Sequence, residues 1–185
     1  MLQQLFKDTE TKMAKAIEST RQEFSSIRTG RASTALLDRL TVEAYGQEMP
    51  LKQLASIAVP DPRSLVIQPF DKSTINDIRK AIEKSDLGLT PNVDGVMIRL
   101  VIPPLTEERR KDLVKIVRKK GEEGKVAIRN IRHKAVDEAK ALHKEGQVTE
   151  DDLKRAQDQI QKLTDKYTKD VDALVSHKEK EIMEV

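Results

Sequence analysis

Basic side chains recur along one face of the charged segment that follows Pro104. On a helical wheel with about 100° per residue, six of them fall within roughly 40° of a common direction: Lys111, Arg118, Lys125, Arg129, Arg132 and Lys140. Glu122 is the one acid that interrupts this stripe. Guanidinium and ammonium groups in such a row can replace the counterions of a phosphate backbone. The stripe therefore predicts a face that binds RNA.

Two other interpretations of the stripe compete with RNA binding. The first is an ordinary solvated helix face, but such faces usually mix charge signs through pairs four residues apart. Residues 106–145 instead carry 13 basic and 8 acidic groups, whereas residues 146–185 carry 7 and 10. The second is a non-catalytic helical adaptor that binds another protein. The salt dependence of binding distinguishes such an adaptor from an RNA-binding protein, because only phosphate contacts weaken steeply as the salt concentration rises.

No set of residues in the sequence predicts catalysis. The chain has no cysteine and no G-x-x-x-x-G-K-[ST] phosphate loop. His133 and His143 are ten residues apart, so they lie on different faces of a helix and cannot easily share a metal. The carboxylates fall on solvent-exposed helix faces, and none is clearly placed in an apolar pocket that would shift its pKa. We therefore expect no enzymatic activity, no metal and no cofactor.

The sequence also carries no membrane or export signal. No apolar run approaches the roughly 20 residues that a membrane helix needs. The first residues, "MLQQLFKDTETK", mix both charge signs, unlike a signal or transit peptide. We expect a monomeric cytoplasmic protein with no membrane partner.

Three segments have apolar residues at the three-four spacing of a helix. The first ends at Gly30, the second begins after the capping residue Thr106 and continues to Gly146, and the third begins after Thr149. The short turn between the second and third predicts antiparallel packing. The first carries a matching apolar stripe, so the three segments together predict a three-helix bundle.

Between Gly30 and Pro104 the apolar spacing becomes that of short strands, which we place at residues 40–45, 54–59, 65–67 and 96–102. One helix, capped by Ser73 and ended before Gly88, is predicted within this part. The predicted fold class is thus α+β with two domains: an antiparallel three-helix bundle with a small β/α/β domain inserted. Its boundaries are 1–30 with 105–185 for the bundle, and 31–104 for the insertion.

The chain passes between the two predicted domains twice, and we expect a hinge at each passage. Neither helix nor strand can continue through Pro103-Pro104, since proline fixes φ and lacks a donor. The predicted hinge residues are Thr29, Gly30, Arg31, Pro103, Pro104 and Leu105.

Four stretches of the chain resemble the ribosome recycling factor family. They are "SSIRTGRASTALLD" (25–38), "YGQEMPLKQLASIAVPD" (45–61), "SDLGLTPNVDGVMIRLVIPPLTEERRKDLVKIV" (85–117) and "VAIRNIRHKA" (126–135). The resemblance implies an L-shaped protein that binds the bacterial post-termination ribosome. It also implies that elongation factor G and GTP act with it to split the subunits, so that mRNA and deacylated tRNA leave. In the family, GTP hydrolysis belongs to the elongation factor.

The resemblance further implies which arginines contact large-subunit ribosomal RNA: Arg28, Arg31, Arg110, Arg129 and Arg132. The last two also lie on the basic stripe, whereas Arg110 lies about 80° away on the wheel, so its assignment depends on the resemblance alone. The sequence departs from the family at His133, where Arg is frequent. Gly121 and Gly124 inside the second helix each cost about 1 kcal/mol relative to Ala, unless they allow close packing.

Overall fold

The computed structural model describes residues 1–27 and 29–184, and the chain divides into two compact units. Its helices and strands are α1 (Leu2–Ser25), β1 (Thr41–Ala44), β2 (Gln47–Pro50), the single turn α2 (Leu51–Leu54), β3 (Ala55–Asp61), β4 (Ser64–Pro69), α3 (Ile75–Lys84), β5 (Pro91–Asp94), β6 (Met97–Val101), α4 (Glu107–Lys144) and α5 (Glu150–Met183). One unit contains Met1–Phe24 and Lys111–Glu181, and the other contains Ser25–Arg110 with the end of the chain from Ile182. The predicted α+β fold class, a helical bundle and a small sheet domain, is confirmed.

The helical unit packs α1, α4 and α5 around two apolar clusters. One cluster is made by Met13, Ile17, Ile128, Tyr167 and Val171, and the other by Leu5, Ala135, Ala139, Ala156 and Ile160. Because residue numbers rise along α1 as they fall along α4, these two helices are antiparallel, and α5 returns antiparallel to α4. Burial of a large apolar side chain contributes about 1.5–3 kcal/mol, so these clusters hold the three helices together.

The ends of α4 and α5 are fixed by side chains that the sequence made recognisable. Thr106 Oγ1 accepts a hydrogen bond from the Arg109 amide at 3.1 Å, as its capping role predicts. At the start of α5, Thr149 and Asp152 cap each other's amides, at 3.1 and 3.2 Å. At 1.5 Å per residue, the 38 residues of α4 extend for about 57 Å.

The first helix ends earlier than the sequence predicted. We expected α1 to continue to Gly30, but it ends at Ser25. Two consecutive serines, Ser25 and Ser26, are weak helix formers because their hydroxyls compete for nearby backbone groups. Gly30, with φ of +85°, lies in the segment beyond the helix rather than at its cap.

The second unit contains a four-stranded antiparallel sheet with strand order β3-β4-β6-β5, and a separate hairpin of β1 and β2. Its core is formed by the inward side chains of the strands and of α3, among them Leu65, Ile67, Ile78, Ile98 and Leu100. The alternating burial along β1 and β6 is the period-2 pattern of strands with one covered face. The unit therefore has a core of its own.

Two strands and one cap of this unit differ from the sequence predictions. The prediction missed β2 and β5, whose residues are mostly exposed and polar, because a strand without an apolar face leaves no period-2 signal. Ser73 does not cap the helix: Asp71 accepts the Ser73 amide at 2.9 Å and starts a 3₁₀ turn, Lys72–Thr74, that leads into α3. An aspartate accepts such a bond as readily as serine does.

Candidate nucleic-acid interface

Two glycines lie on the face of α4 that packs against the other helices. A Cβ at Gly121 would lie 2.5 Å from Cγ2 of Val175 on α5, and one at Gly124 would lie 2.7 Å from Oγ1 of Thr20 on α1. Such distances are too short for a side chain, so the backbone of α4 approaches both neighbours closely at these points. The close packing that the sequence left open as the role of these glycines is confirmed.

With this face inward, the basic stripe lies along the edge where α4 meets α5. Nε of Arg118 contacts Oε1 of Glu179 at 2.7 Å, and Nζ of Lys125 forms an ion pair with Asp172. Glu122 adds a further contact to Lys125 at 3.5 Å. We call Arg118 and Lys125 the neutralised pair.

Lys125 is the more enclosed member of the neutralised pair. Its side chain is only 17% exposed, against 67% for Arg118. The carboxylate of Asp172 raises the pKa of Lys125 above its usual range, with Glu122 adding to the effect against the opposing cost of burial. A stripe opposed only by Glu122 is therefore not what the structure shows: Arg118 faces solvent but is paired with an acid of α5, and Lys125 is both paired and largely buried. Their assignment to RNA binding stays a prediction.

The charge of the stripe is uncompensated at Arg129 and Arg132, which we call the uncompensated pair. No acid lies three or four residues away from either arginine along α4. Arg129 is exposed, and its side chain has no hydrogen bond or ion pair with any residue that the structure describes. Arg132 is half-buried, and its Nη1 donates to the neutral amide oxygen of Gln161 on α5 at 3.3 Å. Both guanidinium charges are thus available to an anion.

The remaining predicted RNA contacts are spread over several places. Lys111 and Arg31 are exposed, each in its own unit. Arg110 is half-buried in the first turn of α4, and its Nε is buried without a hydrogen-bond partner among the described residues. Arg28 lies outside the described residues. The assignments of these four arginines and lysines to RNA are predictions that the structure does not test.

His133 lies beside the uncompensated pair on the exposed side of α4. Its side chain is 74% exposed, and Nε2 is 3.6 Å from a carboxylate oxygen of Asp137 on the same helix. A protonated imidazole would be paired with this acid, so His133 adds little net charge to the surface.

Both predicted hinge segments leave the sheet unit next to the same turn. The Ala32 amide donates to the Pro62 carbonyl at 2.7 Å, and the Ile102 amide donates to the Arg63 carbonyl at 2.7 Å. Pro103 and Pro104 follow this attachment, exposed and outside any helix or strand. The predicted hinge segments, 29–31 and 103–105, therefore lie next to the residues whose backbone is bonded to this turn.

Sequence reasoning missed the acids and the amide on α5 that contact the stripe. Seven-residue steps along α4, from 118 to 125 to 132, are matched by carboxylates at seven-residue steps along α5: Glu179, Asp172 and Asp165. Antiparallel neighbouring helices place such series opposite each other. The signal was present in the sequence, but it needed both helices to be compared in register.

The described part of the chain contains no group of three or more metal-ligating side chains. In the same residues, no helix is long and apolar enough to cross a membrane. Neither observation adds a second candidate site.

Comparison with known proteins shows the family to which the chain belongs. The family model described as "Ribosome recycling factor" matches residues 20–183. This chain belongs to the ribosome recycling factor family. Among curated ribosome recycling factors, those of Halalkalibacterium halodurans and Symbiobacterium thermophilum are 58% and 57% identical over 185 residues, with 100% of each chain covered. The resemblance inferred from the four sequence stretches is confirmed.

Two solved structures of ribosome recycling factors share the fold. The chain matches a solution structure with a TM-score of 0.80 and 44% identity, covering 100% of this chain and 98% of the other. The second is a T. thermophilus ribosome recycling factor bound, with E. coli elongation factor G, to the E. coli post-termination complex. It matches with a TM-score of 0.68 and 49% identity, covering 99% of each chain.

Proposed function

We propose that this chain recycles bacterial ribosomes after translation termination. It binds the post-termination ribosome and, together with elongation factor G and GTP, promotes separation of the subunits and release of mRNA and deacylated tRNA. The observation that carries the proposal is full-length membership of the ribosome recycling factor family, one of whose members is bound to a post-termination complex with elongation factor G. The protein acts where ribosomes are, in the cytoplasm, and as a monomer.

The proposed role of the helical unit is to dock on large-subunit ribosomal RNA. The uncompensated pair supports this role, because Arg129 and Arg132 present guanidinium groups that no carboxylate of the described chain contacts. Guanidinium groups bind phosphate oxygens in a bidentate manner and also stack on bases. Lys111, Arg31 and Arg110 extend the contact, and Arg28 joins them by its place in the family motif. Arg118 and Lys125 contribute less, because acids of α5 already neutralise their charges.

The proposed role of the sheet unit is that of an arm on a joint. We assign residues 1–30 and 105–185 to the docking body and residues 31–104 to the arm, with the hinge at 29–31 and 103–105. Attachment of both passages to the turn at Pro62 and Arg63 supports this assignment, since it confines bending to the short segments beyond. The chain itself is not catalytic, and the elongation factor supplies the work by GTP hydrolysis.

Sedimentation of post-termination ribosomes tests the proposed function. Ribosomes incubated with this protein, elongation factor G and GTP should yield free subunits, and omission of any one component should leave them intact. Intact ribosomes in the complete mixture would refute the proposal.

The salt dependence of ribosome binding tests the alternative of a protein-binding adaptor. The affinity of such an adaptor for the ribosome should change little with salt, whereas docking on RNA should weaken steeply.

A second experiment tests the joint. Replacement of both prolines, Pro103→Gly with Pro104→Gly, loosens the backbone at one passage while leaving the docking residues untouched. We expect ribosome affinity within about twofold of the parent protein and slower subunit separation, because force is then lost in the joint. Unchanged splitting rates in this variant would remove the hinge from the mechanism.

A further inference from the structure

Arg132 is held by two consecutive hydrogen bonds that end at an acid on α5. Its Nη1 donates to Oε1 of Gln161 at 3.3 Å, and Nε2 of Gln161 donates to Oδ1 of Asp165 at 2.9 Å. An ionised carboxylate only accepts hydrogen bonds, so Asp165 must take the NH₂ end of the amide. The carbonyl oxygen of Gln161 is thereby turned toward the guanidinium.

The amide occupies the place that a carboxylate fills elsewhere along the same edge. Arg118 and Lys125 each contact an acid of α5 directly, whereas Arg132 meets Gln161 before Asp165. Among the described residues, no carboxylate forms an ion pair with Arg132. The hydrogen bond to Gln161 therefore gives the side chain an orientation, yet its charge is not neutralised at the point of contact.

These two properties suit a side chain that must bind phosphate. An arginine paired with a carboxylate binds a second anion less strongly, because the carboxylate already neutralises its charge. A neutral amide uses one of the five guanidinium N–H donors, so four stay available. Prior orientation also reduces the rotamer freedom that the side chain loses when it docks.

We propose that Gln161 is a positioning residue for Arg132, and that Asp165 fixes its orientation. The proposal rests on the proposed function, in which Arg132 contacts ribosomal RNA. Gln161 itself acts through Arg132 and does not touch the RNA. It makes Arg132 a stronger ligand than an unrestrained or ion-paired arginine at the same position would be.

The test compares the ribosome affinity of Gln161→Met with and without Arg132. Methionine keeps the length and helix propensity of glutamine but has no amide. We expect Gln161→Met to weaken ribosome binding by about threefold to fivefold, in line with the loss of prior orientation. In the Arg132→Ala background the same change should have no further effect. Gln159→Met is the matched control, since Gln159 is exposed on α5 without a side-chain hydrogen bond to the described residues, and it should bind like the parent.

A second variant, Gln161→Glu, separates positioning from a structural role. Glutamate still accepts a hydrogen bond from Arg132 but adds a carboxylate, so it should weaken ribosome binding by about tenfold, since Arg132 then resembles the neutralised pair. The thermal unfolding midpoint should stay close to that of the parent, because the ion pair gained with Arg132 offsets the repulsion between the new carboxylate and Asp165. A merely structural residue would lower affinity and midpoint together.

The possible failures of this test point to different conclusions. Parent-like binding by both Gln161 variants, with weak binding by Arg132→Ala, would overturn the positioning role and leave the proposed function standing. An equal loss for Gln161→Met with and without Arg132 would also overturn it. Parent-like binding by Arg132→Ala would remove Arg132 from the RNA interface, and the positioning role with it.

Discussion

The neutralised pair and the uncompensated pair lie on one helix and belong to one stripe of sequence, yet they present different surfaces. Arg118 and Lys125 meet Glu179 and Asp172 across the α4–α5 edge, while Arg132 meets the neutral Gln161 and Arg129 meets nothing in the described chain. The difference therefore comes from α5. In the proposed function, the row of cations binds phosphate mainly where the neighbouring helix leaves its charge uncompensated.

The largest expected effect comes from removing the uncompensated pair. Arg129→Ala with Arg132→Ala should weaken ribosome binding by about a hundredfold, because each nucleic-acid-contacting arginine contributes about 1–3 kcal/mol and 1.4 kcal/mol is a factor of ten. Equilibrium binding of labelled protein to purified ribosomes measures the loss.

The matched control for that variant is Arg118→Ala with Lys125→Ala, which removes the same formal charge. We expect less than about fivefold loss of affinity, since these cations are already paired and contribute mainly through the long-range field. Equal losses for the two double variants would mean that pairing with α5 does not matter for docking.

A substitution that pushes α4 away from α5 should break the ion pairs of Arg118 and Lys125 with α5. Gly121→Ala places a Cβ 2.5 Å from Val175, and overpacking of this kind costs about 1–3 kcal/mol, more than the helix propensity gained. Urea denaturation measures the loss of unfolding free energy. In the Val175→Ala background, the same substitution should be far less costly, and an unchanged cost there would contradict the close contact.

Substitutions in the neutralised pair should reduce the free energy of unfolding more than substitutions in the uncompensated pair, the reverse of their expected effects on ribosome binding. Lys125→Ala should lower the free energy of unfolding by about 1–2 kcal/mol, because its largely buried stem is lost and Asp172 is left without its partner. Arg129→Ala should stay within about 0.5 kcal/mol of the parent, as an exposed substitution. A larger loss for Arg129→Ala than for Lys125→Ala, measured by the same urea denaturation, would reverse the comparison.

The smallest effect is on the pH dependence of stability. Because Asp172 raises the pKa of Lys125 in the folded protein, the stabilisation is complete below the unfolded pKa of about 10.4 and is lost as pH rises through the higher folded value. The difference in unfolding midpoint between the parent and Lys125→Met should therefore shrink as the pH is raised above about 10. A difference that stayed constant would exclude the charge of Lys125 as its source.

Periodicity made the three long helices predictable, and local chemistry made their caps at Thr106 and Thr149 predictable. The polar strands β2 and β5 were not, because they bury almost nothing and are held by backbone pairing to their neighbours. The candidate site was likewise predictable only in part. The periodicity of α4 predicts which face of the helix carries Lys125. Its partner Asp172 is 47 residues away on α5, so the ion pair depends on how the two helices pack and could not be predicted from α4 alone.

Site-specific photo-crosslinking measures most directly whether the uncompensated pair faces RNA. A benzophenone side chain at position 133 lies beside Arg129 and Arg132 without replacing either, and one at position 122 lies beside Lys125 on the same exposed helix. On post-termination ribosomes, we expect strong crosslinks to large-subunit ribosomal RNA from position 133 and much weaker ones from position 122. Crosslinks of equal yield from both positions, or stronger ones from position 122, would contradict the proposal that docking depends more on the uncompensated pair than on the neutralised pair.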